Sequence, residues 1–398
     1  MNILMISPQV PYPFVGGAKM VTYNTIKYLS NCGVNITLLA LSDMNYDGEL
    51  YELKKYCDVR LVLFKRNNNL FRIVKNLFSS HSYIISKYVT PLIIQEIDFI
   101  LEKGNIELVH IERLHMAYCG DYVKNKYSLP VIFRPHNVES LILLRYFRYT
   151  KNFFKKKYLK IQYDRLYEYE KNMIKCCDEC IAISLPDKEN FLAMYHKLKC
   201  NVIFPGLQEN EPLELQRKYN HILFVGSLDW KPNEDSLIWF VNNVFHVLKK
   251  NNKNIKFIIV GQNPTPLVKS LNKVDGVEVK GFVDNLSECY AKASIAVVPL
   301  QYGGGVKIKI IESLLMRVPV ITTLIGVEGI DCIDGKHLLI AENSLEFINS
   351  INFLIDNEKE AENIAKNGFE FAKKTYDPEK IAKQYIDVYN KYLIRKNG

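Results

Sequence analysis

Three consecutive glycines, Gly303, Gly304 and Gly305, followed by Lys307, Lys309 and Glu312, are the residues most suited to chemistry in this chain. An apolar strand from Ser294 leads into them, and a lysine-bearing amphipathic helix leads out towards a second apolar strand, Pro319–Thr322. Glycines at the mouth of a helix leave backbone N–H groups bare, so an anion can come close. The helix dipole, with Lys307 or Lys309, adds positive potential at the same point. This suits a diphosphate, with Glu312 one to two turns deeper to accept hydrogen bonds from ribose hydroxyls. The same spacing also fits a plain Gly-rich turn in which Lys309 and Glu312 form an exposed i,i+3 pair. A second cluster, Arg134, His136, Asn137 and Glu139, directly follows an apolar strand. A lone histidine is more often structural than catalytic, but polar neighbours at a strand end favour function here.

Those residues need a frame that gathers strand ends. Short apolar runs alternate with amphipathic helical stretches, the pattern of βα units around a parallel sheet. Strands are expected at Ile3–Ile6, Asn35–Leu41, Val59–Leu63, Leu108–Ile111, Val131–Arg134, Cys180–Ser184 and Val202–Phe204. The polar stretch QENEPLELQRKYN then reads as a linker. A second series follows at Ile222–Val225, Lys256–Val260, Val277–Lys280, Ser294–Val298 and Pro319–Thr322. The turn glycines Gly16–Gly17, Gly226, Gly261, Gly281 and Gly303–Gly305 each follow a strand, and open parallel sheets bind ligands at that edge. Asp43 stands where a ribose-binding acid would, but VGGAKM lacks the G-x-G-x-x-G spacing, which sets dinucleotide-dependent hydride transfer aside.

At 398 residues the chain suits two α/β domains of about 200 residues each. It has no apolar run long enough to span a bilayer and no charged-then-apolar leader, so it is expected to be cytoplasmic. Nine cysteines without regular pairing fit reduced thiols. Cys177-x-x-Cys180 has metal-ligand spacing, but Cys180 opens an apolar strand, which favours a buried junction over zinc. Residues 1–200 hold 28 Lys and Arg against 19 Asp and Glu, while residues 201–398 are balanced, so the whole net charge of +9 sits in the first half. It gathers in two acid-free runs, Phe64–Gln95 and Ser140–Tyr163. The second interleaves Arg145, Arg148, Lys151, Lys155, Lys156, Lys157 and Lys160 with aromatics, as an anionic membrane surface would require. RNA binding and a simply solvated helix compete for that stretch; no nucleic-acid partner is expected.

Taken in order, MNILMISPQVPYPFVGGAKM, RPHNVES, ILFVGSLDWKPNEDSLIWF, FIIVGQNP, VKGFVDN and the Gly303–Glu312 run resemble the retaining glycosyltransferases of family 4. The resemblance covers nearly the whole chain. It implies the GT-B fold, two Rossmann-like parallel-sheet domains facing a central cleft. Residues 1–203 would form the acceptor-side domain and 204–376 the nucleotide-sugar-binding domain, with a helix at 377–394 packing back on the first. It also implies an NDP-sugar donor and a saccharide acceptor. We expect the acceptor to be lipid-linked and the enzyme to sit at the inner face of the plasma membrane, in cell-surface polysaccharide biosynthesis. The departing diphosphate would guide same-face attack. Protein cations can stabilise it without a metal, so neither a metal nor a cofactor is expected.

Gly16, Gly17, Gly226, Lys231, Gly303, Gly304, Gly305, Lys307, Lys309 and Glu312 are expected to bind the donor, the Gly16–Gly17 loop and Glu312 by the same resemblance and the others by their place after a strand or at a helix start. Lys231 and His136 would serve catalysis, and Arg134, Asn137 and Glu139 would face the acceptor. Two departures stand out. Ser227 occupies the position of the family's usual arginine, and Gly304 that of the first of its two glutamates. These keep open a non-catalytic alternative, a nucleotide-binding scaffold in a membrane-associated assembly, and a two-domain nucleotide-sugar epimerase.

Overall fold

The two series of apolar runs form two parallel sheets in a computed structural model that describes residues 1–13, 16–46, 50–65, 76–77, 79, 81–208 and 220–393. The first sheet comprises β1 (Asn2–Ser7), β2 (Asn35–Ser42), β3 (Asp58–Leu63), β4 (Leu108–Glu112), β5 (Val131–Arg134), β6 (Glu179–Ala182) and β7 (Cys200–Val202), in the order β3-β2-β1-β4-β5-β6-β7. The second comprises β8 (His221–Val225), β9 (Lys256–Val260), β10 (Val277–Gly281), β11 (Ile295–Val298), β12 (Val320–Thr322) and β13 (Leu339–Ile340), in the order β10-β9-β8-β11-β12-β13. Helices cover both faces of such sheets, so central strands such as β1 and β11 read as unbroken apolar runs with their side chains buried.

Both orders reverse direction once, between β1 and β4 and between β8 and β11. At such a switch point adjacent connections leave in opposite directions and open a crevice beyond the strands' carboxyl ends. Each sheet therefore offers a site at a place fixed by topology.

The chain divides into two compact units, Met1–Gly206 with Pro378–Gly398, and Leu207–Asp377. The first boundary falls three residues later than expected. The terminal helix Pro378–Leu393 belongs to the first unit, where Ile381, Tyr385, Val388 and Tyr389 join Ile3, Met5, Ile26 and Ile132 in one core. The strand expected at Val202–Phe204 lies two residues earlier, as β7, because its pairing is with β6 in the register Cys180↔Cys200. The two-residue β13 was not foreseen. Most of the linker, 209–219, and residues 66–75, 78 and 80 of the first basic run lie outside the described residues, as does Ile394.

Candidate active site

In the second unit the site assembles around the β8–β11 switch point. Gly226 follows β8, and a Cβ there would lie 2.6 Å from Lys309 Nζ and 2.9 Å from Asn233 Nδ2. Glycine lets the lysine reach this strand end. Lys309 Nζ donates to Asn233 Oδ1 at 2.7 Å and sits 4.3 Å from the centroid of the Phe224 ring. Asn233 Nδ2 in turn donates to the Ser227 carbonyl at 2.7 Å. Behind them Gly261 is pressed against Gly226, since a Cβ on it would fall 1.7 Å from the Gly226 oxygen.

The loop after β11 closes the other side. Gly303 packs against Trp230, and the Tyr302 hydroxyl donates to Asp235 at 2.7 Å. The N–H groups of Gly304 and Gly305 make no hydrogen bond among the described residues. The helix Ile308–Leu315 follows, and on it Glu312 is half-buried, its carboxylate making no hydrogen bond or ion pair among the described residues. Burial pushes Glu312 up to about 7 against the pull of Lys309. Burial and the charge of Lys307 push Lys309 down to about 7 against the pull of Glu312. Each group is thus held where its charge is poorly satisfied by the protein, a recurrent property of ligand sites.

The other lysines are committed. Lys307 is 5 % exposed and its Nζ donates to the Gly305 carbonyl at 2.6 Å, bracing the loop. Lys231, at the start of the helix Lys231–Phe240, places its Nζ 2.5 Å from Glu234 Oε1 and 2.7 Å from Asp235 Oδ1. Burial opposes its charge, but those two carboxylates outweigh it and hold the lysine above its ordinary range. Of the two lysines it is Lys309 that reaches the end of β8 at Gly226, while Lys307 turns back to Gly305.

In the first unit β4 and β5 are neighbours with Glu112 paired to Arg134, so their last side chains meet. Glu112 is fully buried. Its Oε1 accepts from Arg134 Nη1 and from His110 Nε2, both at 3.0 Å. Its Oε2 takes His136 Nε2 and, at 3.4 Å, the Thr22 hydroxyl from the helix Gly17–Asn31 that follows β1. Burial opposes ionisation of Glu112, but Arg134 and His136 outweigh it and hold the carboxyl well below its usual range. His136 is 7 % exposed, and burial pushes it down to about 4 despite Glu112.

Arg134, expected on the acceptor side, has no exposed surface. It donates to Glu112 and to Thr25 Oγ1 and lies over the Tyr385 ring, so it is the counter-ion of a buried carboxylate and does not reach an acceptor. Asn137 and Glu139 are half-buried beyond it, with Asn137 Nδ2 3.4 Å from Glu139 Oε1. Gly16 caps the Gly17–Asn31 helix at φ +93°, an open position where a Cβ would meet nothing. No motif or local period singles out Glu112, His110 or Thr22. The legible signal was a glutamate ending the otherwise apolar run LVHIE, beside the switch point.

The Ser140–Tyr163 run forms the hairpin of helices Glu139–Tyr149 and Phe153–Cys176. Phe153 and Phe154 are 72 % and 82 % exposed at its bend. Lys155 and Lys156 lie over the rings of Tyr146 and Phe147. No described helix is long and apolar enough to cross a membrane.

Residues 15–211 match the Glycosyltransferase Family 4 profile, and residues 219–357 match the profile described as Glycosyl transferases group 1. Together these take in most of the chain. It belongs to the family 4/group 1 glycosyltransferases. The uncharacterized glycosyltransferase MJ1178 of Methanocaldococcus jannaschii is 28 % identical over 382 residues, 94 % of each chain. An uncharacterized 44.6 kDa protein in the cps region of Klebsiella pneumoniae is 25 % identical, over 96 % of this chain and 97 % of that one. The glycosyltransferase shares its fold with sucrose-phosphate synthase of Thermosynechococcus elongatus, at TM-score 0.78 and 17 % identity over 99 % of this chain and all of that one. It shares it also with Anabaena Alr3699/HepE, solved with UDP-glucose, at TM-score 0.70 and 15 % identity over 98 % and 100 %. The fold of this glycosyltransferase is GT-B, with two parallel-sheet α/β domains.

Proposed function

We propose that this glycosyltransferase is retaining and metal-independent, and moves a sugar from an NDP-sugar to a lipid-linked saccharide in cell-surface polysaccharide biosynthesis. The observation that carries the reading is the pair Lys309 and Glu312, whose charges the protein leaves poorly satisfied, on the helix that follows the bare amides of Gly304 and Gly305. Amides and ammonium suit a diphosphate, and an unpartnered carboxylate suits ribose hydroxyls. As the bond to the sugar breaks, negative charge grows on the diphosphate, and Lys309 stabilises it there, while Lys231 is held by Glu234 and Asp235. His136 serves the sugar or the acceptor. The solved HepE complex holds UDP-glucose, and an S. aureus TarM complex holds UDP with alpha-GlcNAc-glycerol; both support a nucleotide-sugar donor and a saccharide acceptor here.

The lipid-linked acceptor and a peripheral position at the inner face of the plasma membrane draw support from the hairpin bend. Phe153 and Phe154 project from it, with Arg148, Lys151, Lys155, Lys156, Lys157 and Lys160 nearby in the chain. Exposed aromatics flanked by cations suit an anionic bilayer, where each near-surface cation contributes about 1 kcal/mol.

The deciding experiment is a thermal-shift panel of nucleotides and NDP-sugars, followed by hydrolysis of the stabilising NDP-sugar without acceptor. A ligand at 100 times its Kd should stabilise the chain by roughly 2.7 kcal/mol. Binding with neither hydrolysis nor transfer would leave a scaffold instead of an enzyme. Conversion of the donor to another NDP-sugar would make it an epimerase.

A further inference from the structure

The buried cluster of Glu112, Arg134, His110 and His136 fixes its own hydrogen-bond sense. Glu112 lies against a guanidinium, which can only donate, and is therefore a carboxylate, which can only accept. His110 Nε2 and His136 Nε2 both address that carboxylate, so both must carry a proton. His110 Nδ1 is then free to accept from the Tyr389 hydroxyl at 2.7 Å, which ties the terminal helix to the cluster. Arg134 Nη1 and the Thr22 hydroxyl complete the donors around Glu112. Arg113, Tyr385 and Tyr389 are the other ionisable groups that bear on the cluster, and none of them supplies an acceptor to His136 Nε2.

His136 is a neutral ring at ordinary pH, since burial pushes it down to about 4. Its Nδ1 therefore carries a lone pair. That atom has no hydrogen-bond partner among the described residues, and it is not one of the sealed, unsatisfied side-chain atoms of the fold.

We propose that Glu112 is a positioning residue that locks His136 in its Nε2–H tautomer, so that Nδ1 is offered as a hydrogen-bond acceptor to a substrate hydroxyl. The hydroxyl half of this inference rests on the transfer reaction proposed above; the lock does not. A group that can donate a hydrogen bond, such as a sugar hydroxyl, fits Nδ1, and one that can only accept, such as a carbonyl or a fluorine, does not.

Long-range ¹⁵N–¹H spectra of the full chain with labelled histidine read the tautomer directly, with His136→Asn assigning the signal. The expected result is a neutral Nε2–H ring that does not titrate between about pH 6 and 8, where an ordinary histidine does. An Nδ1–H ring, or an imidazolium, in the folded wild type overturns the lock. Glu112→Leu combined with Arg134→Met removes both buried charges together, and such replacements are often tolerated where single ones are not. In that variant His136 should become a mixture of tautomers, and turnover of UDP-glucose should fall on the order of 10²-fold with UDP affinity unchanged. A pure Nε2–H ring in that variant removes Glu112 from the role. A wild type that holds the tautomer yet never turns over any NDP-sugar fails the transfer reading and leaves the lock standing.

Discussion

The two units place ionisable groups at equivalent points, the switch points of their sheets, and treat them in opposite ways. At β4 and β5, Glu112 is sealed from water and accepts hydrogen bonds from Arg134, His110, His136 and Thr22. At β8 and β11, Glu312 and Lys309 are half-buried, the Glu312 carboxylate has no hydrogen bond or ion pair among the described residues, and the Lys309 ammonium donates to a single asparagine oxygen. Both carboxylates feel strong desolvation, yet Glu112 is held well below its usual range and Glu312 is raised. A buried carboxylate whose partners are all protein can act only through those partners. One that pays desolvation without partners is held ready for something absent from the fold.

Stability is where the contrast should be widest. Glu112→Ala strands the Arg134 guanidinium without its anion, and breaking a buried pair on one side costs about 3–5 kcal/mol. Glu312 behaves differently. Its carboxyl binds a proton more tightly folded than unfolded, so its contribution to stability falls as pH rises from about 4.3 to about 7. Above that window the ionised group disfavours the fold, and Glu312→Ala at pH 8 should leave stability unchanged or slightly improved. Urea denaturation of both variants tests this, and equal losses would erase the distinction between the units.

His136→Ala should lower transfer by roughly 10²–10⁴-fold while leaving UDP affinity nearly intact, because the residue lies in the unit that does not carry Glu312 or Lys309. Single-turnover rates with an NDP-sugar, set beside UDP titrations, separate the two quantities. A variant that folds and transfers at the normal rate would make His136 part of the architecture, like Arg134.

The sheets were largely legible because a strand covered on both faces must be apolar along its whole length, as Ile3–Ile6 and Ser294–Val298 are. The Gly303–Glu312 run was legible for a related reason, since loop, helix start and carboxylate are consecutive in sequence. Glu112 was not. Its partners come from β4, β5 and the helix after β1, with His110 held in turn by Tyr389 of the terminal helix, up to 279 residues apart for the His110–Tyr389 bond. No local period reports such a meeting. For the same reason Arg134 looks acceptor-facing in sequence and is sealed in the fold: a strand-end arginine looks exposed until the strand beside it supplies a glutamate. Lys307 and Lys309 could not be told apart by spacing alone, whereas in space Lys307 turns back to Gly305 and Lys309 reaches Gly226.

Glu312→Ala, nearly silent in stability, should be loud in binding. Hydrogen bonds to a charged acceptor contribute about 1.5–3 kcal/mol, so UDP affinity should fall roughly ten- to a hundredfold by calorimetry. Unchanged affinity would reduce Glu312 to an ordinary helix residue and leave the second unit without its ribose contact.

The smallest effect is also the sharpest in form. Binding needs Glu312 charged to accept from ribose hydroxyls and Lys309 charged to meet the diphosphate. In the free protein both titrate at about 7, because burial raises the acid and, with Lys307, lowers the base. Below that pH the unliganded carboxyl takes up a proton that must be lost on binding. Above it the unliganded amine has given up a proton that must be regained. Affinity for UDP-glucose should therefore peak near neutrality and fall on both sides, by at most about tenfold per pH unit on each limb. UDP-glucose suits the measurement better than UDP, whose terminal phosphate titrates in the same range. Glu312→Gln should flatten the acid limb and Lys309→Met the alkaline one, each at lower overall affinity. A wild-type profile that is level from pH 6 to 8 would mean that protein groups already hold both charges, as they hold Glu112, and the two units would then differ only in exposure.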